Sequence, residues 1–410
     1  MEAQTVTSYG ALFRVRGFGR VVTATGFSRL GGQMWEIVLV LFVLTRYHSP
    51  ELAGLSVLMS TVPGLALSPI VGALLDRQGR VRLMILDYAL TALLLSAIVA
   101  LSLAHRLPPL LLLGLVTVLS ISNILSITGA RSLFPLMLPA NLWDRANGLD
   151  TSLYSLTSVV GPAIAGLVVA KFGPEAGLML TAGAAAAADL WLIGVGEPVA
   201  RVTGDQSLIK DAWAGLLYVL RHRSLRGLAI TLFLMNLGAG VLPVGIPVLV
   251  LRQLHGNAAT VGQVFAVFGL AGLLAGLAVG RLDTAERERA LILAGVCAQL
   301  PVLVGLALSP SLPVVFVLAA VAGASSAASS VGIFALRQRR TDPSWFGRAF
   351  AVSMSMNFSG APIGSAISGP LLAQSIPLAM LVGAVIGALA LPAAFLIPAR
   401  RDAVLAASDS

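Results

Sequence analysis

Charged residues are scarce in this 410-residue chain: they make up 11% of it, against roughly a quarter of a soluble domain. Cysteine is nearly absent, and the one present, Cys297, lies in an apolar stretch, which excludes a disulfide framework and a cysteine-based zinc site. Polar runs are short, the longest being residues 196–227, so a sizeable soluble domain is excluded as well. Apolar residues, by contrast, reach 57% and the mean hydropathy is +0.91, which predicts a membrane protein with many spans.

The apolar residues fall into runs of about 20, the length that crosses a bilayer as a helix. Each run is predicted to be helical because lipid offers no hydrogen-bond partner to an open backbone. The sequence therefore predicts an all-α membrane protein of twelve transmembrane helices in two six-helix bundles. The predicted spans are 21–44, 53–75, 83–104, 110–131, 152–170, 176–195, 228–251, 261–280, 290–308, 313–335, 349–372 and 377–398.

The basic residues fix a predicted orientation. With the N-terminus inside, 22 of the 27 Lys and Arg fall in cytosolic segments and four fall in outer loops, as the positive-inside rule requires. We therefore expect a multi-pass protein of the cytoplasmic (inner) membrane with both termini cytosolic. The net charge of +9 is then a topology signal, and no nucleic-acid partner is expected.

The central polar break divides the chain. We expect an N-terminal bundle at 1–195, a cytosolic linker at 196–227 and a C-terminal bundle at 228–410. In the linker, apolar residues recur at helical spacing among basic ones, which predicts an amphipathic helix on the membrane surface. Short echoes between the halves, such as "ALLDRQGR" and "GRLDTAER", indicate an internal repeat of the kind found in one large class of transporters.

The stretch "GALLDRQGRVRL" after the second span resembles the loop signature of the major facilitator superfamily. Three further stretches, 145–167, 210–230 and 336–352, are similar to its drug:proton antiporter branch, which includes macrolide and enterobactin exporters. The resemblance implies that Asp76 meets the N-terminus of the eleventh helix, near residues 347–349, and so acts as a gating latch on the cytosolic side. The simpler alternative is a solvated turn that serves topology alone. The latch residues are Gly72, Asp76, Arg77, Gly79, Arg80, Asp87 and Arg131, with Asp87 expected to brace the turn through Arg80, Arg82 or Arg131.

Few ionisable residues lie inside the spans, where each charge costs about 2.5–3.5 kcal/mol. Glu36 and Arg29, seven residues apart in the first span, share a helix face with Thr25 and Gln33. Burial favours the neutral acid and a nearby cation favours the ionised one, so Glu36 and Arg29 are the predicted proton-coupling residues. The alternative is an ion pair that only fixes helix packing. Asp189, in the sixth span, is predicted to be structural.

Other features concern the central cavity. The stretch "VVGPAIAGL" resembles an antiporter motif and predicts a helix kink at Gly161, Pro162 and Gly166. Isolated polar residues on the helices that line the family's cavity are candidates for substrate binding, although each can equally bond across a helix interface. These candidates are Gln33, Asn123, Ser126, Asn236, Gln263, Ser326, Ser330 and Asn357.

These features predict a secondary transporter that works by alternating access, with proton-coupled export of hydrophobic or amphiphilic small molecules as the leading function. A lysolipid or lipid flippase and a siderophore exporter are the alternatives within the superfamily. An enzyme is not expected because the sequence carries no catalytic constellation. We expect no metal and no cofactor, a proton gradient as the energy source, and a monomer whose partners are the bilayer and its substrate.

Overall fold

The computed structural model describes residues 9–196, 208–281, 287–308, 311–341 and 346–398. Within these ranges the regular structure is helical and no β-strand occurs. The N-terminal half contains α1 (Tyr9–Arg14), α2 (Phe18–Tyr47), α3 (Pro50–Met59), α4 (Val62–Gln78), α5 (Arg80–Leu103), α6 (Pro109–Met137), α7 (Trp143–Phe172) and α8 (Pro174–Leu192).

The rest of the described chain continues the helical series. It contains α9 (Leu208–Arg221), α10 (Arg223–Ala239), α11 (Leu242–Val248), α12 (Ala258–Val279), α13 (Glu288–Leu308), α14 (Leu312–Arg340), α15 (Phe346–Gln374), α16 (Ile376–Ala388) and α17 (Ala390–Ala394). A π-helical turn at Leu249–Gln253 follows α11. α9 coincides with the predicted amphipathic helix and packs against α10 and α15.

Ten helical segments of the described chain are long and apolar enough to cross a membrane. α8 and α15, which coincide with the sixth and eleventh predicted spans, are not among those ten but have 19 and 29 residues. At about 1.5 Å per residue both are long enough to cross the hydrocarbon core. Together these segments give the twelve predicted spans of an all-α membrane fold.

The turn between α4 and α5 is a single residue, Gly79. Its backbone has φ +95° and ψ +138°, and its N–H donates to the carbonyl of Leu75 at 3.2 Å. Residues with a Cβ rarely adopt this conformation, so the glycine of the loop signature is required for so short a turn.

The described residues belong to two compact units. The first comprises Met1–Val38 and Met59–Asp205, and the second comprises Leu39–Leu58 and Gln206–Ser410. In the first, buried Val21, Met84, Leu133 and Ala188 join α2, α5, α6 and α8 in one apolar core. In the second, residues of α10, α13 and α14 form the corresponding core, which includes Leu232, Ile292 and Leu336.

The seventh span is interrupted in the second unit. α10 ends at Ala239, and the chain continues through α11, which contains Pro247, into the π-helical turn. The carbonyl of Gly240, at the break, accepts a hydrogen bond from the buried Ser365 hydroxyl of α15 at 2.6 Å. The same region of α15 lies close to α3, where a Cβ on Gly54 would be 2.2 Å from the Ser365 carbonyl oxygen.

Candidate functional site

Arg29 of α2 is paired with Asp150 of α7 in the first unit. The guanidinium donates from Nε to Oδ1 at 3.1 Å, and from Nη2 to Oδ1 at 2.6 Å and to Oδ2 at 2.5 Å. The two side chains are only 16% and 18% exposed, and the ring of Tyr154, one turn along α7, lies 5.4 Å from the guanidinium carbon. A charge-assisted pair of this geometry holds both helices in register and leaves no net charge in the span.

Glu36 lies two turns along α2 from Arg29, and its side chain is exposed. In the part of the chain that the structure describes, its carboxylate has neither a hydrogen bond nor an ion pair. The helix face of α2 that carries Thr25, Arg29, Gln33 and Glu36 thus contains one cation and one acid. The cation, Arg29, is neutralised by an acid of α7, whereas the acid, Glu36, has no such partner. Thr25, at the other end of this face, is buried and donates to its own helix at Val21.

Gly161 of α7 lies directly against α2. A Cβ at this position would be 2.7 Å from the Cβ of Gln33, so only glycine allows the two helices to approach this closely. Pro162 and Gly166 are buried beside it on α7, which runs as one helix through the motif.

Asp87 of α5 is fully buried, with 0% exposure. Its Oδ1 accepts a hydrogen bond from Thr91 at 3.4 Å. No basic side chain of the described residues pairs with it: Arg80 donates instead to Ser132 at 3.0 Å, and Arg82 is exposed. The contact expected from Arg80 or Arg82 is therefore replaced by a hydroxyl, and the side chain of Arg131 lies outside the described residues.

Part of the predicted latch lies outside the described side chains. This holds for Gly72 and Asp76 and for residues 347–349 of α15, of which only the helical backbone is described. Arg77 is exposed at the end of α4. The latch therefore stays a prediction, although the structure describes the tight turn at Gly79 and the side chains of Arg77, Arg80 and Asp87.

The candidate substrate residues are dispersed along several helices. In the second unit Asn236 of α10 and Asn357 of α15 are brought together, with the amide nitrogen of Asn236 2.9 Å from the side-chain oxygen of Asn357. Ser126 is buried and donates to the carbonyl of Asn123 in its own helix. Ser330 donates to the carbonyl of Ser326, and both Ser326 and Gln263 are exposed.

Two charged residues escaped the sequence-based prediction. Asp150 was placed before the fifth span, which was predicted to begin at 152, whereas α7 begins at Trp143. Arg337 was counted among the cytosolic charges without a predicted contact, and its side chain is 2% exposed and donates to the carbonyl of Ser353 at 3.3 Å. The available sequence signal for this partner of Arg29 was the spacing of Asp150 and Tyr154. Residues four apart lie on the same face of a helix.

Metal ligands are not clustered in the described parts of the chain, where no three His, Cys, Asp or Glu side chains lie close enough together to hold an ion. Asp189 of α8 is partly buried, and its Oδ1 has no hydrogen-bond partner among the described residues.

Known proteins resemble this chain over nearly its whole length. It is 36% identical over 401 residues to an uncharacterized MFS-type transporter, y4rN, of Sinorhizobium fredii, covering 97% of this chain and 98% of the relative. It is 26% identical to the multidrug efflux pump Tap of Mycolicibacterium fortuitum, covering 83% and 87%, and 22% identical to macrolide efflux protein A of Streptococcus pyogenes, covering 81% and 84%.

The fold is similar to that of a solved transporter. The crystal structure of nucleoside transporter NupG superposes with a TM-score of 0.71 at 12% identity, covering 92% of this chain and 97% of that one. The relatives in sequence point to a transporter, and the superposition shows a shared fold. The model of the Major Facilitator Superfamily matches residues 21–298 and 228–409, and the chain belongs to that superfamily.

Proposed function

We propose that this protein exports hydrophobic or amphiphilic small molecules in exchange for protons. The observation that carries the proposal is the state of the first span: Arg29 is neutralised by Asp150, while Glu36 has an exposed carboxylate with no partner among the described residues. An ionisable group within a span is expensive, and it is retained where it binds an ion or a substrate. Glu36 is the acid in this span that is free to bind a proton.

The type of substrate is inferred from two sources. The described helices present amides and hydroxyls as candidate contacts, such as the Asn236–Asn357 pair, which suits a neutral or weakly polar compound better than a phosphate or sugar. The relatives named for multidrug and macrolide efflux support export of such compounds. Proton binding and release at Glu36 would then shift the equilibrium between the conformation that is open to the cytosol and the one that is open to the outside.

Further parts of the transport cycle are proposed with it. Asp76 and the Gly79 turn form the cytosolic latch, α9 lies on the inner membrane surface with both termini in the cytosol, and the transporter works as a monomer.

The test is transport in proteoliposomes that contain purified protein and a pH-sensitive dye, with ethidium and a lysolipid as alternative substrates. We expect an imposed pH gradient to drive ethidium transport and the Glu36→Gln variant to lose this response. The matched control is Glu51→Gln, in which the acid removed is one that accepts a hydrogen bond from Ser49 at 2.8 Å. Transport of the lysolipid alone would favour the flippase, and transport that ignores the gradient would refute proton coupling.

A further inference from the structure

A second acid in the first unit, Asp87, is buried, unlike the exposed Glu36, and has no role in the function proposed above. Asp87 has 0% exposure, and its Oδ2 has no hydrogen-bond partner among the described residues. An ionised carboxylate in such surroundings is strongly disfavoured unless a cation is paired with it.

The surroundings of Asp87 supply hydroxyls in place of a cation. Thr91 of its own helix donates to Oδ1 at 3.4 Å. From α6, Ser122 and Ser126 are close to the carboxyl, but their hydroxyls donate to the carbonyls of Leu119 and Asn123, each at 3.1 Å. These groups can hydrogen-bond to a carboxylic acid, but they carry no charge to balance a carboxylate.

The charged groups of the neighbouring elements are engaged or distant. On α5, Arg80 donates to Ser132 and Arg82 is exposed. On α4, Arg77 is exposed and the side chain of Asp76 is not described, while α8 contributes the acid Asp189. α6 presents no ionisable side chain to this region among the described residues.

Arg29 of α2 is already engaged elsewhere. Its guanidinium pairs with Asp150 of α7 and is not paired with Asp87. Among the described residues the buried carboxyl of Asp87 therefore has no counter-ion, and its surroundings favour the neutral acid over the carboxylate.

We propose that Asp87 is a proton-binding site, and that it holds its proton in the conformation described here because its buried carboxyl has no counter-ion among the described residues. Loss of this proton to water leaves a carboxylate, which is stable only when a change of conformation brings water or a cation to it. The site rests on the proposed proton coupling for its role in transport, in which it would be a second acid beside Glu36. It needs no co-reactant, because the only step is the transfer of one proton to or from water.

The direct test is infrared difference spectroscopy of the purified protein in lipid between mildly acidic and mildly alkaline pH. We expect a carbonyl stretch from a protonated carboxylic acid that is lost in Asp87→Asn and retained in the matched variant Asp189→Asn. The Asp87→Glu variant covers the case in which Asp87→Asn does not fold, and it should shift the band in frequency. A band unchanged by Asp87→Asn, or unmoved by Asp87→Glu, would overturn the proposal.

Transport separates this inference from the proposed function. In proteoliposomes Asp87→Asn should lose export driven by a pH gradient but keep downhill exchange of ethidium, a split that a merely structural defect would not produce. If the infrared band depends on Asp87 but no substrate responds to the gradient in wild type, proton-driven export fails and the proton site stands. If wild type couples transport to the gradient and Asp87→Asn does so equally, the site fails and the proposed function stands.

Discussion

The pairing of Arg29 with Asp150 decides the electrostatics of the first unit. The two residues are 121 positions apart and belong to the long helices α2 and α7. Within a span, a charge that loses its partner cannot be rescued by water, so removal of one partner costs more than the pair contributes. The contribution of the pair to stability therefore has to be measured by removing both charges, and not only one of them.

We predict that Asp150→Asn lowers the free energy of unfolding by about 3 kcal/mol, because it leaves the Arg29 guanidinium buried without a counter-ion. The double variant Arg29→Gln/Asp150→Asn should recover most of this loss, since it removes both charges. Asp144→Asn, an exposed acid of the same helix, is the control and should change stability by less than about 1 kcal/mol. Thermal unfolding in detergent measures all three, and equal losses in the single and double variants would contradict the prediction.

At the scale of the element, close approach between helices depends on particular glycines. α10 and α15 meet where a Cβ on Gly364 would be 2.1 Å from the carbonyl oxygen of Leu237. α2 and α7 meet in a comparable way at Gly161. Such contacts contribute to stability in a membrane because lipid provides no hydrophobic driving force between helices, and packing takes its place.

We predict that Gly364→Ala destabilises the second unit by about 1–3 kcal/mol, because the added methyl group forces α10 and α15 apart. Gly183→Ala on α8 is the matched control, since its Cβ would meet nothing within 4 Å. There the substitution should be neutral or stabilising by up to about 1 kcal/mol. The midpoint of thermal unfolding of each purified variant distinguishes these outcomes.

The turn between α4 and α5 gives a second prediction at this scale. Gly79→Ala should cost about 1–3 kcal/mol, because the backbone at φ +95° is strained for any residue with a Cβ. The control is Gly114→Ala on α6, a helical glycine with nothing within 4 Å of its added Cβ. A similar unfolding midpoint for both variants would mean that the turn relaxes without strain.

At the scale of the whole molecule, the distribution of basic residues predicts which loops face the cytosol. In a Cys297→Ser background, we expect Arg106→Cys to react with an impermeant maleimide added outside intact cells. Gln78→Cys, an exposed residue at the end of α4, should react only after the membrane is opened. The reverse pattern would invert the orientation and would move the proposed latch to the outer side.

Much of this molecule follows from sequence because its strongest constraint is local. A run of about twenty apolar residues must close its own backbone hydrogen bonds in lipid, whatever its neighbours are. The spans and their order were therefore predictable. The start of the fifth span was not: the polar residues between Trp143 and Ser152 lower its local hydropathy, yet α7 runs through them because partners such as Arg29 satisfy its polar face.

The sequence by itself determined the class of protein, the twelve apolar segments and the positions of the ionisable residues within them. Only the tertiary structure decided which of these residues are paired: Arg29 with Asp150 rather than Glu36, and Asp87 with the Thr91 hydroxyl rather than with Arg80 or Arg82. The physical reason is that hydropathy and helical period are properties of neighbouring residues. The partner of a buried charge depends instead on how helices far apart in sequence rotate and pack, and on which side chains their glycines allow to approach.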